Sequence, residues 1–254
     1  MNKKFINLGS YDFQMDGWLN LDKRISHYSA KQKRIDINHN LMSFDNIALP
    51  DNSLKIAYTS HTIEHISDCY VIHLFKEVYR LLEDGGVFRI TCPDIEKCYN
   101  AYAEGDEEYI SKWLLNPAGW ERFRSFGIGE RFLFIFASYL SPYRNNISNF
   151  NHIKKYNEEE ISGVFKEKDM SEALTFFTDI CQKYASRLQA LHPGEHIGWW
   201  SFDKLKKELI EIGFKNIEAY EYNESPTPEL SGFDYHSHGN REQHEYSLFL
   251  ECKK

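Results

Sequence analysis

A chain of 254 residues can bury a full core, and its 30 Lys and Arg against 38 Asp and Glu give a formal charge of −8, which disfavours a polyanionic partner such as nucleic acid. Five scattered cysteines (Cys69, Cys92, Cys98, Cys181 and Cys252) without a Cys-x-x-Cys pair encode neither a disulfide framework nor a thiolate zinc site. No apolar run approaches the roughly 20 residues of a membrane span, and no apolar signal region follows Met1, so a cytoplasmic protein is expected.

Phe5 to Gly9 reads as a first strand ending at glycine, and Trp18 to Asp22 as a second ending in an acid. The small basic cluster Lys31-Gln32-Lys33-Arg34 reads as a solvated loop, before a weaker third strand over Arg34 to Ile37. Leu49 to Ser53 is a turn, and Leu54 to Ser60 the fourth strand. Val71, Leu74, Phe75, Val78, Leu81 and Leu82 then recur at helical spacing. Asp84-Gly85-Gly86 is expected to end that helix, with glycine supplying the positive φ of a carboxyl cap. Val87 to Cys92 is short and mostly apolar, as a central parallel strand should be, and Pro93-Asp94 follows at its carboxyl end.

From 97 to 192 the pattern changes to a helical insertion. Arg131 to Leu140 predicts a buried helix, and Asp169-Met170-Ser171-Glu172 a capping box opening another. The α/β pattern resumes with Ser201 as N-cap of a helix carrying Phe202, Leu205, Leu209 and Ile212, closed by Gly213. Phe214 to Tyr220 and Tyr246 to Cys252 read as the last strands, joined by a polar segment rich in Pro, Gly and His.

Ile6-Asn7-Leu8-Gly9-Ser10-Tyr11, Gly17-Trp18-Leu19-Asn20-Leu21-Asp22, Leu49-Pro50-Asp51-Asn52-Ser53, Ser60-His61-Thr62-Ile63-Glu64-His65 and Gly85-Gly86 to Asp94 occur in that order. Together they resemble the class I S-adenosylmethionine-dependent methyltransferases, in particular the methyltransferase type 11 branch met in surface-polysaccharide clusters. The resemblance is dense over residues 5–96, returns at His196 to Phe214 and is silent over the insertion. It implies one α/β domain over 1–254, with a Rossmann-like seven-stranded sheet and the insertion after the fifth strand as a lid. It also implies S-adenosylmethionine as cofactor. Gly9, Ser10, Asp22, Lys23, Asn40, Leu41, Ser60 and His61 match the family's cofactor-binding positions. In these roles Gly9 admits the methionine part of the cofactor, Asp22 takes both ribose hydroxyls, and Asn40-Leu41 meets the adenine. Tyr11 stands where the family has its second glycine, and the link from Ser10 to Gly17 is too short for a crossover helix, a feature of this branch.

Methyl transfer requires in-line alignment and, for a hydroxyl acceptor, removal of a proton. His61, Asp94 and His196 are the catalytic candidates, each with a structural reading beside it: pocket wall, helix cap and satisfied histidine. His65, His152 and His192 read as structural or exposed. His236, His238 and His244 read as part of a polar loop lining the acceptor pocket, with metal ligation as the alternative. No metal is assigned.

The expected acceptor is a small polar molecule such as a sugar, nucleotide-sugar or surface-glycan precursor, under a lid carrying Trp113, Trp120, Tyr139 and Tyr143, aromatic residues that suit sugar faces and a core equally. The aromatic content of the insertion also leaves room for a homodimer surface. Tyr11 motivates a second reading, a degenerate methyltransferase fold acting as a binding subunit. His61-Thr62-Ile63-Glu64-His65 also matches the H-x-x-E-H word of zinc peptidases, which requires that word on a helix.

Overall fold

The computed structural model describes residues 3–25, 29–113, 117–232 and 245–254. His236, His238 and His244 lie outside the described residues, as does the side chain of Trp120. The described residues form two compact units: a sheet unit of Met1–Ile63, Asp68–Pro93 and Trp200–Lys254, and a helical unit of Glu64–Ser67 and Asp94–Trp199.

The sheet unit holds seven strands: β1 (Phe5–Leu8), β2 (Leu19–Asp22), β3 (Ile37–Asn38), β4 (Leu54–Ser60), β5 (Leu82–Pro93), β6 (Lys215–Tyr220) and β7 (Ser247–Lys253). Their order is β3-β2-β1-β4-β5-β7-β6. The pairs from β3 across to β5 are parallel, whereas β7 runs antiparallel to both β5 and β6. This is the expected Rossmann-like class I methyltransferase sheet. The β4 and β5 interiors are buried almost throughout, which is why they read as apolar runs rather than alternating ones.

No crossover helix joins β1 to β2. The link is held instead by two buried asparagines, Asn7 and Asn20. Asn7 Nδ2 donates to the Phe13 carbonyl at 2.6 Å. Asn20 Oδ1 accepts from Met15 N at 2.8 Å while its Nδ2 donates to Met15 O at 3.0 Å. Met15 and Trp18 then pack with Tyr58 and Leu230, so the short link buries its own apolar side chains.

Helix α1 (Asp68–Leu81) lays Val71, Leu74, Phe75 and Val78 in the core, with the Phe75 ring edge-on to Phe88 at 5.6 Å. It ends at Leu81, before the expected Asp84-Gly85-Gly86 cap. The turn beside it supplies the missing donors: Asn52 N binds Arg80 O at 3.0 Å and Ser53 N binds Leu81 O at 2.8 Å. Strand β5 begins at once, and its pairing steps from Leu54 opposite Leu82 to Ile56 opposite Val87. Residues 83–86 form the bulge between those pairs, where Gly85 adopts a φ of +77°.

The helical unit contains α2 (Ile95–Glu104), α3 (Glu107–Lys112), α4 (Pro117–Arg124), α5 (Ile128–Phe136), α6 (Glu158–Glu167) and α7 (Met170–Leu188). The expected helix over Arg131 to Leu140 is α5 followed by a 3-10 turn at Ser138–Leu140. Asp169 caps α7 by accepting from Glu172 N. The core is aromatic: Tyr102 stacks on Phe132 at 4.9 Å, with Phe136, Phe165 and Phe177 around them. Tyr139 and Tyr143 are buried in this unit, which is the core role left open beside the lid. The Tyr139 hydroxyl donates to Gln189 Oε1.

Back in the sheet unit, α8 (Phe202–Ile212) starts at the Ser201 cap and ends at Gly213, with a φ of +116°, as expected. Among the described residues no helix is long and apolar enough to cross a membrane.

Candidate cofactor and acceptor site

At the carboxyl end of β1, Gly9 and Ser10 both donate their N–H groups to Leu21 O, at 2.9 and 3.1 Å. Gly9 has a φ of +70°, and a Cβ there would stand 2.4 Å from the Thr62 side chain. The space that glycine leaves open is therefore taken by Thr62, and backbone conformation and packing both demand the glycine. Ser10 is 2% exposed, and its Oγ has no hydrogen-bond partner among the described residues.

Tyr11 adopts a φ of +36°. A tyrosine thus follows a left-handed path, at roughly 1–2 kcal/mol of backbone strain. Its N–H donates to Asp22 Oδ2 at 2.8 Å, and Lys31 Nζ lies 5.2 Å from the centre of its ring. Asp22, at the end of β2, also accepts from Lys23 N at 2.7 Å. Burial raises the Asp22 carboxyl above 3.8, although the N–H groups of Tyr11 and Lys23 and the Gln32 side chain pull it down. The Lys23 side chain is exposed. Asn40 forms an Asx turn with Met42, each bond at 3.3 Å, and Leu41 beside it is buried.

At the end of β4, His61 also has a positive φ, +46°. Its N–H donates to Thr91 O at 2.9 Å, and its Nε2 lies 3.0 Å from Ser247 Oγ. Ser60 O accepts from Thr62 Oγ1 at 3.1 Å. Thr91 Oγ1 is buried and has no hydrogen-bond partner among the described residues. Ser247 and Thr62 escaped the sequence reading: neither stands out by type, and Ser247 lies 186 positions from the histidine it meets.

Asp94 and His196 belong to the helical unit. Asp94 caps α2, its Oδ1 accepting from Lys97 N at 3.2 Å, with Lys97 Nζ 3.5 Å from its other oxygen. His196 Nδ1 meets Ile135 O at 2.5 Å, and its backbone N–H donates to Ser138 Oγ at 3.1 Å. His65 Nδ1 meets Glu195 O at 3.1 Å. The zinc-peptidase word is not on an α-helix: Ser60 ends β4, and Ile63–His65 is a 3-10 turn. Its two histidines therefore do not share the helix face that peptidase chemistry needs.

No curated protein matches the chain in sequence. Solved structures resemble it at low identity. An S-adenosylmethionine-dependent methyltransferase from Mesorhizobium loti is 15% identical, with a TM-score of 0.43, over 100% of this chain and 91% of its own. A methyltransferase from Thermotoga maritima, described as a possible histamine N-methyltransferase, is 10% identical with a TM-score of 0.43, over 99% and 82%. One from Archaeoglobus fulgidus is 11% identical with a TM-score of 0.41, over 100% and 88%. The strand order fixes the fold independently of these likenesses. Residues 10–90 match the family model described as a methyltransferase domain.

Proposed function

We propose that this protein uses S-adenosylmethionine to methylate a hydroxyl of a small polar acceptor, a sugar, nucleotide-sugar or related glycan precursor. The observation that carries the cofactor reading is the Gly9–Tyr11 loop closed on Asp22 at the ends of β1 and β2. A carboxylate has about four lone-pair sites; Asp22 takes the N–H groups of Tyr11 and Lys23 and a hydrogen bond from the Gln32 side chain, which leaves an acceptor for a ribose hydroxyl. The buried Ser10 Oγ offers a further polar contact beside the loop. Because Tyr11 keeps a positive φ, the loop retains a left-handed turn without its second glycine, which favours the catalytic reading over a degenerate fold.

When bound, S-adenosylmethionine supplies an electrophilic methyl group on a sulfonium, poised for in-line transfer to oxygen. The chain must orient the acceptor and remove its proton. We assign that proton to His61, whose imidazole sits at the end of β4 with Nε2 3.0 Å from Ser247 Oγ and serves as base. The positive φ of His61 is a strained conformation of the kind that clusters at functional sites. Asp94 serves chiefly as the cap of α2. The net charge of −8 supports a small acceptor over a nucleic acid, and five free thiols support a reducing, cytoplasmic setting.

Incubation with methyl-labelled cofactor and a panel of nucleotide-sugars tests the acceptor class. Label should enter at least one member, and His61→Ala should lower kcat about 10²-fold or more. Transfer to none of the panel, or wild-type kcat in His61→Ala, contradicts the proposal.

A further inference from the structure

Within the helical unit, Glu64, His65 and His196 each bring one ligand atom within 4.8 Å of the others. His65 Nε2 lies 3.8 Å from Glu64 Oε1, and the two imidazoles meet edge to face with centroids 4.6 Å apart. We infer that these three side chains form a binding site for one divalent first-row transition-metal ion.

The tautomers favour it. Nδ1 of His65 meets the Glu195 carbonyl and Nδ1 of His196 meets the Ile135 carbonyl. A carbonyl only accepts, so both Nδ1 atoms carry the proton, and in the neutral rings both Nε2 atoms hold the lone pair. Ligating histidines typically have this second partner, because it fixes ring orientation and raises the basicity of the donor nitrogen.

The frame behind the three side chains is also built. Glu64 O accepts from Ile197 N at 2.9 Å and Gly198 N at 3.1 Å, clamping the residues after His196 to Glu64. Gln189 Nε2 donates to His65 O at 2.6 Å and to Glu195 O at 3.0 Å. Ser138 N donates to His196 O at 2.9 Å, with the reciprocal His196 N–Ser138 Oγ bond already noted. The neighbouring Glu195 carboxylate is engaged by Arg144 at 2.8 Å. Glu64 itself is only 2% exposed.

Two imidazoles and one carboxylate form a donor set suited to zinc, iron(II) and related ions. Donors roughly 2.0–2.2 Å from zinc stand a little over 3 Å apart, so loading would draw the group together by about 1 Å. Three protein donors leave a coordination position for an oxygen ligand. This set differs from the peptidase word, because His196 from a distant segment completes it rather than His61.

The full chain, stripped with chelator, should bind one zinc ion per molecule by calorimetry, and cobalt(II) should give the visible absorption of a four- or five-coordinate ion. His196→Ala and the near-isosteric Glu64→Gln should each weaken binding by about 100-fold or more, with circular dichroism confirming that both variants fold. Replacing His236, His238 and His244 together by Ala should leave binding unchanged. Absence of saturable micromolar binding in the wild type, binding that survives either Glu64→Gln or His196→Ala, or loss in the triple variant would overturn the assignment. S-adenosylhomocysteine binding is measured separately, so failure of the cofactor reading is distinguishable from failure of the metal site.

Discussion

The backbone N–H of Tyr11 donates to Asp22 Oδ2 at 2.8 Å, tying the turn after β1 to the acid that ends β2. Since this bond uses only the main chain, residue 11 acts on Asp22 through its φ rather than its ring. Tyr11→Gly should therefore preserve S-adenosylhomocysteine affinity within about threefold, and shift stability by no more than about 1 kcal/mol, because relief of strain is offset by greater freedom of the unfolded chain. Tyr11→Pro, which removes the donor, should weaken binding in the same titration.

Asp22 gives stability a particular dependence on pH. Its folded pKa is raised above 3.8 by burial, so between 3.8 and the raised value the folded state holds more protons than the unfolded state. Its contribution is therefore greatest below pH 3.8 and is lost as pH rises through the folded pKa. The stability difference between wild type and Asp22→Ala, followed by thermal melts, should move against the wild type across that window.

Lys155 behaves in the opposite sense. Burial lowers its pKa to about 8, and its ammonium donates to the Tyr139 carbonyl. The charged form is disfavoured on folding, so its destabilising contribution is full below pH 8 and is relieved as pH climbs from 8 toward 10.5. Lys155→Met should raise the melting temperature at pH 7, with the gain shrinking toward pH 10.

Arg89 and Glu251 form a buried ion pair at 2.7 Å between β5 and β7. Arg89→Met alone strands the Glu251 carboxylate and should cost about 3–5 kcal/mol in denaturant unfolding. The double variant Arg89→Met with Glu251→Leu should recover most of that loss, since replacing both partners of a buried pair by apolar groups is often neutral.

Local chemistry made much of the fold legible in the sequence. Apolar runs ending in Gly9 or Asp22 marked strand ends, and Ser201 and Gly213 marked the limits of α8. Where a distant partner did the local job, the reading failed. The Asn52-Ser53 turn satisfies the α1 carbonyls, so the helix stops before its glycines. Asn7 and Asn20 hold the β1–β2 link through contacts that no periodicity reveals. The same holds for the candidate sites: Asp22 and His61 announce themselves at strand ends, whereas the Ser247 partner of His61 and the Glu64, His65 and His196 group arise only from tertiary folding.

The central claim is that the Gly9–Tyr11 loop and Asp22 hold S-adenosylmethionine. Calorimetric titration of the full chain with S-adenosylhomocysteine tests it most directly. The account predicts saturable one-to-one binding that Asp22→Ala weakens by about tenfold or more, roughly the 1.4 kcal/mol of one lost charge-assisted hydrogen bond. No binding at millimolar ligand, or equal affinity in wild type and Asp22→Ala, would contradict it.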